Sequence, residues 1–103
     1  MIPVTLSQTD AGSTRPQVMD YWKTPFNVGF QVIVSDGADL VFAVENTFDN
    51  VEDPNVTPVW WPHPTGIGAV NVTGSYTFPF TAIRLTVEEN GTGTATLTFV
   101  QAG

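Results

Sequence analysis

The run Ala82-Ile83-Arg84-Leu85-Thr86-Val87, a turn over Glu88 to Gly93, and the run Thr94-Ala95-Thr96-Leu97-Thr98-Phe99-Val100-Gln101 decide the fold class. In both runs apolar and polar residues alternate, the pattern of a β-strand with one buried and one wet face. The polar positions are mostly threonine, β-branched and uncharged, which suits a pleated surface that meets water or another protein. Neither run holds a catalytic group. If the two runs are neighbours, a tight Asn90-Gly91 turn would set Leu85 against Thr96. Apolar register then asks for a loop of three or five residues, pairing Val87 with Ala95, Leu85 with Leu97 and Ile83 with Phe99. If they lie in opposite sheets of a jelly roll, no such register follows.

Upstream the same period recurs. Val28, Phe30, Val32 and Val34 alternate with Asn27, Gly29, Gln31 and Ile33, and beyond Ser35-Asp36-Gly37-Ala38-Asp39 the residues Leu40, Phe42 and Val44 alternate with Val41, Ala43 and Glu45. Read as a hairpin, these two runs need an odd loop that pairs Val34 with Leu40, Val32 with Phe42 and Phe30 with Val44. Further strands are expected at Pro3 to Ser7, at Val18 to Trp22 closed by Pro25, and at Tyr76-Thr77-Phe78-Pro79-Phe80, with Pro79 marking an edge or bulge. Ile67 to Thr73 reads as a short strand or loop. Residues 8–17 are polar and turn-forming and predict a flexible loop or arm; Thr47 to Pro58 predicts a long acidic loop. Scattered Gly, Pro, Thr and Val leave no run of helical period. The expected fold is all-β: residues 1–103 as a single-domain β-sandwich, jelly-roll-like, with about seven or eight antiparallel strands.

Composition narrows function by exclusion. Cysteine is absent and His63 is the one histidine, which removes disulfides, thiolate metal sites and most nucleophile/base pairs. Three basic residues, Arg15, Lys23 and Arg84, stand against ten acidic ones for a net charge of -7, so nucleic acid is not an expected partner. Only 13% of residues are charged, about half the usual roughly 25%. Low charge beside 42% apolar residues is what a partly covered surface would show, though an ordinary secreted sandwich has a similar composition. No segment approaches the roughly 18 apolar residues of a membrane span, and Met1 to Leu6 lacks the basic start and apolar centre of a signal peptide. The chain is therefore expected to be made in a cytoplasm, with the sequons at Asn55, Asn71 and Asn90 as products of an Asn- and Thr-rich composition.

Candidate sites each carry a plainer reading. Asp36 with Asp39, and Asp49 with Glu52 and Asp53, offer oxygen ligands, yet neither has the spaced pattern of a calcium loop, and turn chemistry accounts for them. Glu88 and Glu89 point to opposite sides of a strand and cannot act as an acid/base pair. His63 between two prolines has no Gly-x-Ser-x-Gly nucleophile elbow beside it. No catalytic residue, cofactor or metal is therefore expected, and the protein reads as non-enzymatic. Adjacent Trp60 and Trp61 on an extended segment point to opposite faces, so one is expected inside and the other exposed, as a sugar-stacking platform or an interface anchor. Tyr21 and Trp22 pose the same choice. The interface reading is preferred, because a sugar site needs polar side chains around its platform and none is identifiable. Arg84, on the threonine side of its strand with Thr86, is a candidate to pair with a carboxylate across an interface or within the chain; Thr86 and Thr96 are candidate contact residues.

The strand-edge and turn motifs Ser35-Asp36-Gly37-Ala38, Val44-Glu45-Asn46-Thr47-Phe48-Asp49, Asp53-Pro54, Pro58-Val59-Trp60 and the two runs from Phe80 to Gln101 resemble a group of small virion structural proteins of tailed bacteriophages. The likeness covers roughly residues 26 to 103 and leaves the first 25 outside it. It implies a capsid decoration or cement protein: a jelly-roll-like sandwich that forms a homo-oligomer, binds the major capsid protein and stabilises the shell, in a virion assembled in the host cytoplasm. No membrane contact is implied. The alternative is a carbohydrate-binding sandwich module of a tail or host-recognition component.

Overall fold

The computed structural model describes residues 3–22 and 26–101; Lys23 and the expected strand-closing Pro25 lie outside the described residues. Nine strands occur among the described residues: β1 (Val4–Thr9), β2 (Gly12–Ser13), β3 (Gln17–Val18), β4 (Val28–Val34), β5 (Phe42–Thr47), β6 (Trp60–Gly68), β7 (Val72–Tyr76), β8 (Ala82–Val87) and β9 (Thr94–Gln101). They form a front sheet in the order β1-β9-β4-β7 and a back sheet in the order β2-β8-β5-β6, with β3 also on β8. All pairings are antiparallel. The chain changes sheet between β1 and β2, β3 and β4, β4 and β5, β6 and β7, β7 and β8, and β8 and β9. That winding is the double Greek key of a jelly roll, so the fold is the β-sandwich that the alternation implies.

Strand sides follow the sequence pattern closely. Val28, Phe30 and Val32, Phe42 and Val44, Ile83, Leu85 and Val87, and Ala95, Leu97 and Phe99 all point inward and are buried. Leu6, Met19, Leu40, Tyr76 and Phe80 complete the same apolar cluster. Each fully buried aliphatic or aromatic side chain contributes about 1.5–3 kcal/mol, which is the main term available to a chain without disulfides.

Strand partners differ from the hairpin reading. β4 is flanked by β9 and β7, and β5 by β8 and β6, so the runs at Val28 and Phe42 lie in different sheets. Val32 pairs with Leu97 and Val72, not with Phe42; Leu85 pairs with Val44, not with Leu97. Both odd-loop registers are thereby replaced, because the connections at 35–41 and 88–93 cross the sandwich. Leu40 turns into the core within the first of them, and a bridge between Asp39 and Thr92 ties the two crossings together. Asn90 adopts φ 69°, the left-handed conformation that asparagine tolerates. Gly93, at φ 100°, is required for packing as well: a Cβ there would lie 2.5 Å from the Ala38 Cβ.

Residues 8–17, expected as a loop or arm, are laced onto the sandwich. Gln8 and Thr9 continue β1, Gly12 and Ser13 pair with Val87 and Thr86, and Gln17 pairs with Ile83. Between them the Thr14 amide donates to the Leu85 carbonyl at 2.8 Å. The segment is polar because it is an edge without a buried side. At the far end Gln101, 1% exposed, clasps Asp20 across the sheets: its Nε2 donates to the Asp20 carbonyl at 2.8 Å and its Oε1 accepts from the Asp20 amide at 2.9 Å.

Two measurements test this core. Leu85→Ala, at a site with 0% exposure, should lower the unfolding free energy by about 2–5 kcal/mol in urea titration. Tyr76 is 1% exposed, and burial, with a smaller contribution from the Glu45 charge, pushes its phenol well above the usual tyrosine range. The folded state thus holds a proton that the unfolded chain releases near pH ~10, so stability is complete below that pH and falls as pH rises past it. Urea midpoints between pH 8 and 11 should show this fall in the parent protein and a shallower one in Tyr76→Phe.

Candidate functional site

Antiparallel pairing gathers the starts of β1, β4, β6 and β8 and the ends of β3, β5, β7 and β9 at one end of the sandwich. The loops leaving these termini, with Trp61 near the start of β6, carry six of the eleven exposed large apolar side chains among the described residues. Tyr21 is 49% exposed, Trp22 67%, Phe48 56%, Trp61 56% and Phe78 45%. Tyr21 and Trp22 stack edge to face at 5.3 Å, and Phe48 lies 6.0 Å from Phe78. β7 stops at Tyr76, so the expected strand through Phe80 is cut short and Phe78 is left outside the core. β3 likewise stops at Val18, which places Tyr21 and Trp22 in a turn instead of the expected strand.

The long acidic loop is pinned beside this aromatic end by its own carboxylates. Asp49 Oδ2 accepts the Val59 amide at 2.7 Å, and Asp53 Oδ1 accepts the Asn55 amide at 2.9 Å. Asn50 Oδ1 accepts the Glu52 amide at 3.1 Å. Glu52, Tyr21 and Asn50 line a cleft of about 110 Å³ with Val18, Val51 and Thr81. Among the described residues no three His, Asp or Glu side chains converge as a metal would require.

Neither tryptophan of the pair enters the core, which corrects the expectation that one would. Trp60 pairs with Thr47 on β5 and is half-buried on the outer face of the back sheet, where the Arg84 guanidinium lies 4.3 Å above its ring. Trp61 projects at the sheet edge. Arg84 itself is committed within the chain: its Nε donates to Glu45 Oε1 at 2.8 Å. Thr86 Oγ1 donates to the same oxygen at 2.6 Å and contacts Ser13 Oγ at 2.8 Å. One carboxylate oxygen thus receives a guanidinium and a hydroxyl on a half-covered face, where such charge-assisted bonds are strong.

Thr86 and Thr96 do not share a surface. Thr86 faces outward from the back sheet, whereas Thr96 faces outward from the front sheet and bonds Ser7 at 3.2 Å. It belongs to a ladder of hydroxyl pairs in which Thr5 meets Thr98 at 3.3 Å and Thr9 meets Thr94 at 3.0 Å. His63 sits at a register shift where β6 bulges. Its Nε2 donates to the Ser75 carbonyl at 2.7 Å while Nδ1 accepts the Thr65 amide at 3.1 Å, and its ring stands edge-on to Tyr76 at 4.6 Å. Nε2 thereby ties β6 to β7, while Nδ1 fastens the bulge within β6 itself.

Sequence reading brought Tyr21, Trp22 and Trp61 to notice and passed over Phe48 and Phe78. The one signal for Phe48 was its position beyond the alternation of β5, within the acidic loop. No protein-family model, curated protein or solved structure matches this chain.

Removing the Glu45 side chain leaves Arg84 unpaired above Trp60. Glu45→Ala should cost about 1–3 kcal/mol in chemical denaturation, and combining it with Arg84→Ala should cost less than the sum of the single changes.

Proposed function

We propose that this chain is a non-enzymatic structural protein of a tailed-bacteriophage virion, a decoration or cement protein that binds the capsid shell through its aromatic end. The exposed group of Tyr21, Trp22, Phe48, Trp61 and Phe78 carries this reading. Five large rings and the exposed Val59 crowd one end of an 11.1 kDa protein, and water gives no reason to keep them there. Aromatic anchors of this kind dominate binding energy at protein interfaces, with a polar rim around them. Asn50, Glu52 and Asp53 supply such a rim. The resemblance of residues 26 to 103 to phage virion proteins supplies the partner, the major capsid protein, and the localisation on the virion.

Trp61 and the Tyr21 cleft support the second reading, a carbohydrate-binding module of a tail or host-recognition component. An exposed ring beside an amide and a carboxylate is a workable sugar platform. The two readings part in one experiment. Purified protein is mixed with shells that lack it and sedimented, and the same protein is passed over a glycan array. A decoration protein rebinds the shells, and Trp22→Ala or Trp61→Ala weakens that binding by about 30-fold or more, the effect of losing a 2 kcal/mol anchor. Glycan binding without shell binding, abolished by Trp61→Ala, establishes the sugar reading instead.

A further inference from the structure

We infer that the outer face of the front sheet is a contact between two copies of this chain. β1, β4, β7 and β9 contain no Asp, Glu, Lys, Arg or His at any position. The ten carboxylates of the chain lie elsewhere: Glu45 on the back sheet, and the other nine in the turns and loops between strands. Two molecules of net charge -7 repel one another, and most approaches bring carboxylates together. Face to face on the front sheet, no carboxylate is desolvated and like charges stay at the periphery. Such a meeting carries a low electrostatic cost.

The relief of this face offers both a depression and apolar projections. Gly29 lies in register between Val100 on β9 and Ser75 on β7, and open space surrounds the position its Cβ would take. The result is a shallow depression of about 240 Å³ lined by Gly29, Gln31, Thr73, Thr98 and Val100. Ile33, 49% exposed, and Val100, 43% exposed, stand up beside it as apolar knobs. A two-fold contact of the proposed kind sets the knobs of each copy against the depression of the other. The hydroxyls around them donate and accept alike, so identical copies can pair without mismatch.

Four strands spaced about 4.8 Å, each roughly six residues long at about 3.4 Å, give a flat footprint of roughly 400 Å². A standard stable interface buries about 800 Å² per partner, so this contact is reversible and depends on concentration. It rests on the self-association contained in the decoration reading, yet it is tested without any capsid.

Sedimentation velocity over a wide concentration range, at low and high salt, tests it on the purified full chain. The parent protein should form a reversible dimer that tightens with salt, as screening removes the residual repulsion. Gly29→Lys fills the depression where no neighbouring atom obstructs it and lowers the net negative charge, so weaker association comes from the lost fit and the desolvated ammonium, both of which act only at this contact. A loss of tenfold or more is expected, with unchanged circular dichroism and melting temperature. Val100→Lys should behave the same way, and Trp22→Ala, at the aromatic end, should dimerise like the parent. A parent protein that stays monomeric at every concentration overturns the inference, and so does Gly29→Lys associating as tightly as the parent. Loss of the dimer in Trp22→Ala alone moves self-association to the aromatic end and also overturns it. Shell binding measured separately on the same variants shows whether the decoration reading stands or falls by itself.

Discussion

Six of the described strands, β1, β4, β5, β7, β8 and β9, have one side pressed against the opposite sheet, and that single demand organises the rest. Inward positions are filled by Leu6, Val28, Phe30, Phe42, Leu85 and Phe99 and their neighbours, at exposures of 0 to 5% or so. A two-layer core about 10 Å thick has no place for an unpaired charge. The described strands meet this by nearly excluding charge altogether: Glu45 and Arg84 are their Asp, Glu, Lys or Arg residues, and they pair with each other at 2.8 Å. Trp60 closes over that pair from the side, since Arg84 spans the distance from the Glu45 carboxylate to the ring. Charge has therefore been moved to the loops, and the two ends of the sandwich differ from its faces in chemistry.

That separation explains how the loops are built. At one end Asp36, Asp39, Glu88 and Glu89 surround the crossings at 35–41 and 88–93, which are held by the Asp39 to Thr92 bridge and by Gly93 packed against Ala38. At the other end Asp49 and Asp53 spend their carboxylates on loop amides, and the exposed rings stand among them. The same residue type thus acts as turn former at both ends. Only the second end combines it with aromatic surface.

How much of this was legible in the sequence depends on whether a feature belongs to one strand or to a pair. Alternation is a property of one strand, so the inward assignments of Val28, Val32, Phe42, Val44, Leu85 and Leu97 follow from sequence alone and agree with the structure. Pairing is a property of two strands, and an apolar stripe fits any partner that offers another. The hairpins drawn between neighbouring runs therefore fail where the chain crosses between sheets, and Val32 meets Leu97 across 65 residues of sequence. Polarity misled at residues 8–17 for a related reason: an edge laced to β8 by backbone bonds needs no apolar side chain. For the candidate site, Tyr21, Trp22 and Trp61 were visible as aromatic residues near prolines and turns. Phe48 and Phe78 were not: Phe48 fell within the acidic loop read from Thr47 to Pro58, where a lone phenylalanine by itself carries no sign of exposure, and Phe78 looked like part of a strand through Phe80 until β7 is seen to end at Tyr76.

The aromatic end and the uncharged front face point in perpendicular directions, so occupying one leaves the other free. This matters for the proposed face-to-face contact, whose footprint is too small to hold a tight dimer in dilute solution. When a stronger contact at the aromatic end fixes neighbouring copies on a common support, the weak contact no longer has to overcome the entropy of bringing two free molecules together. Tethering of this kind sets effective concentrations in the millimolar range, enough to fill a site that stays largely empty at the low concentrations of free protein. Uncharged faces serve that arrangement well, because crowding chains of charge -7 onto one surface raises their mutual repulsion unless the sides that meet are neutral. Under the proposed arrangement, the absence of charge from β1, β4, β7 and β9 is what lets acidic copies pack densely, with the carboxylates kept at the ends, away from the sides that meet.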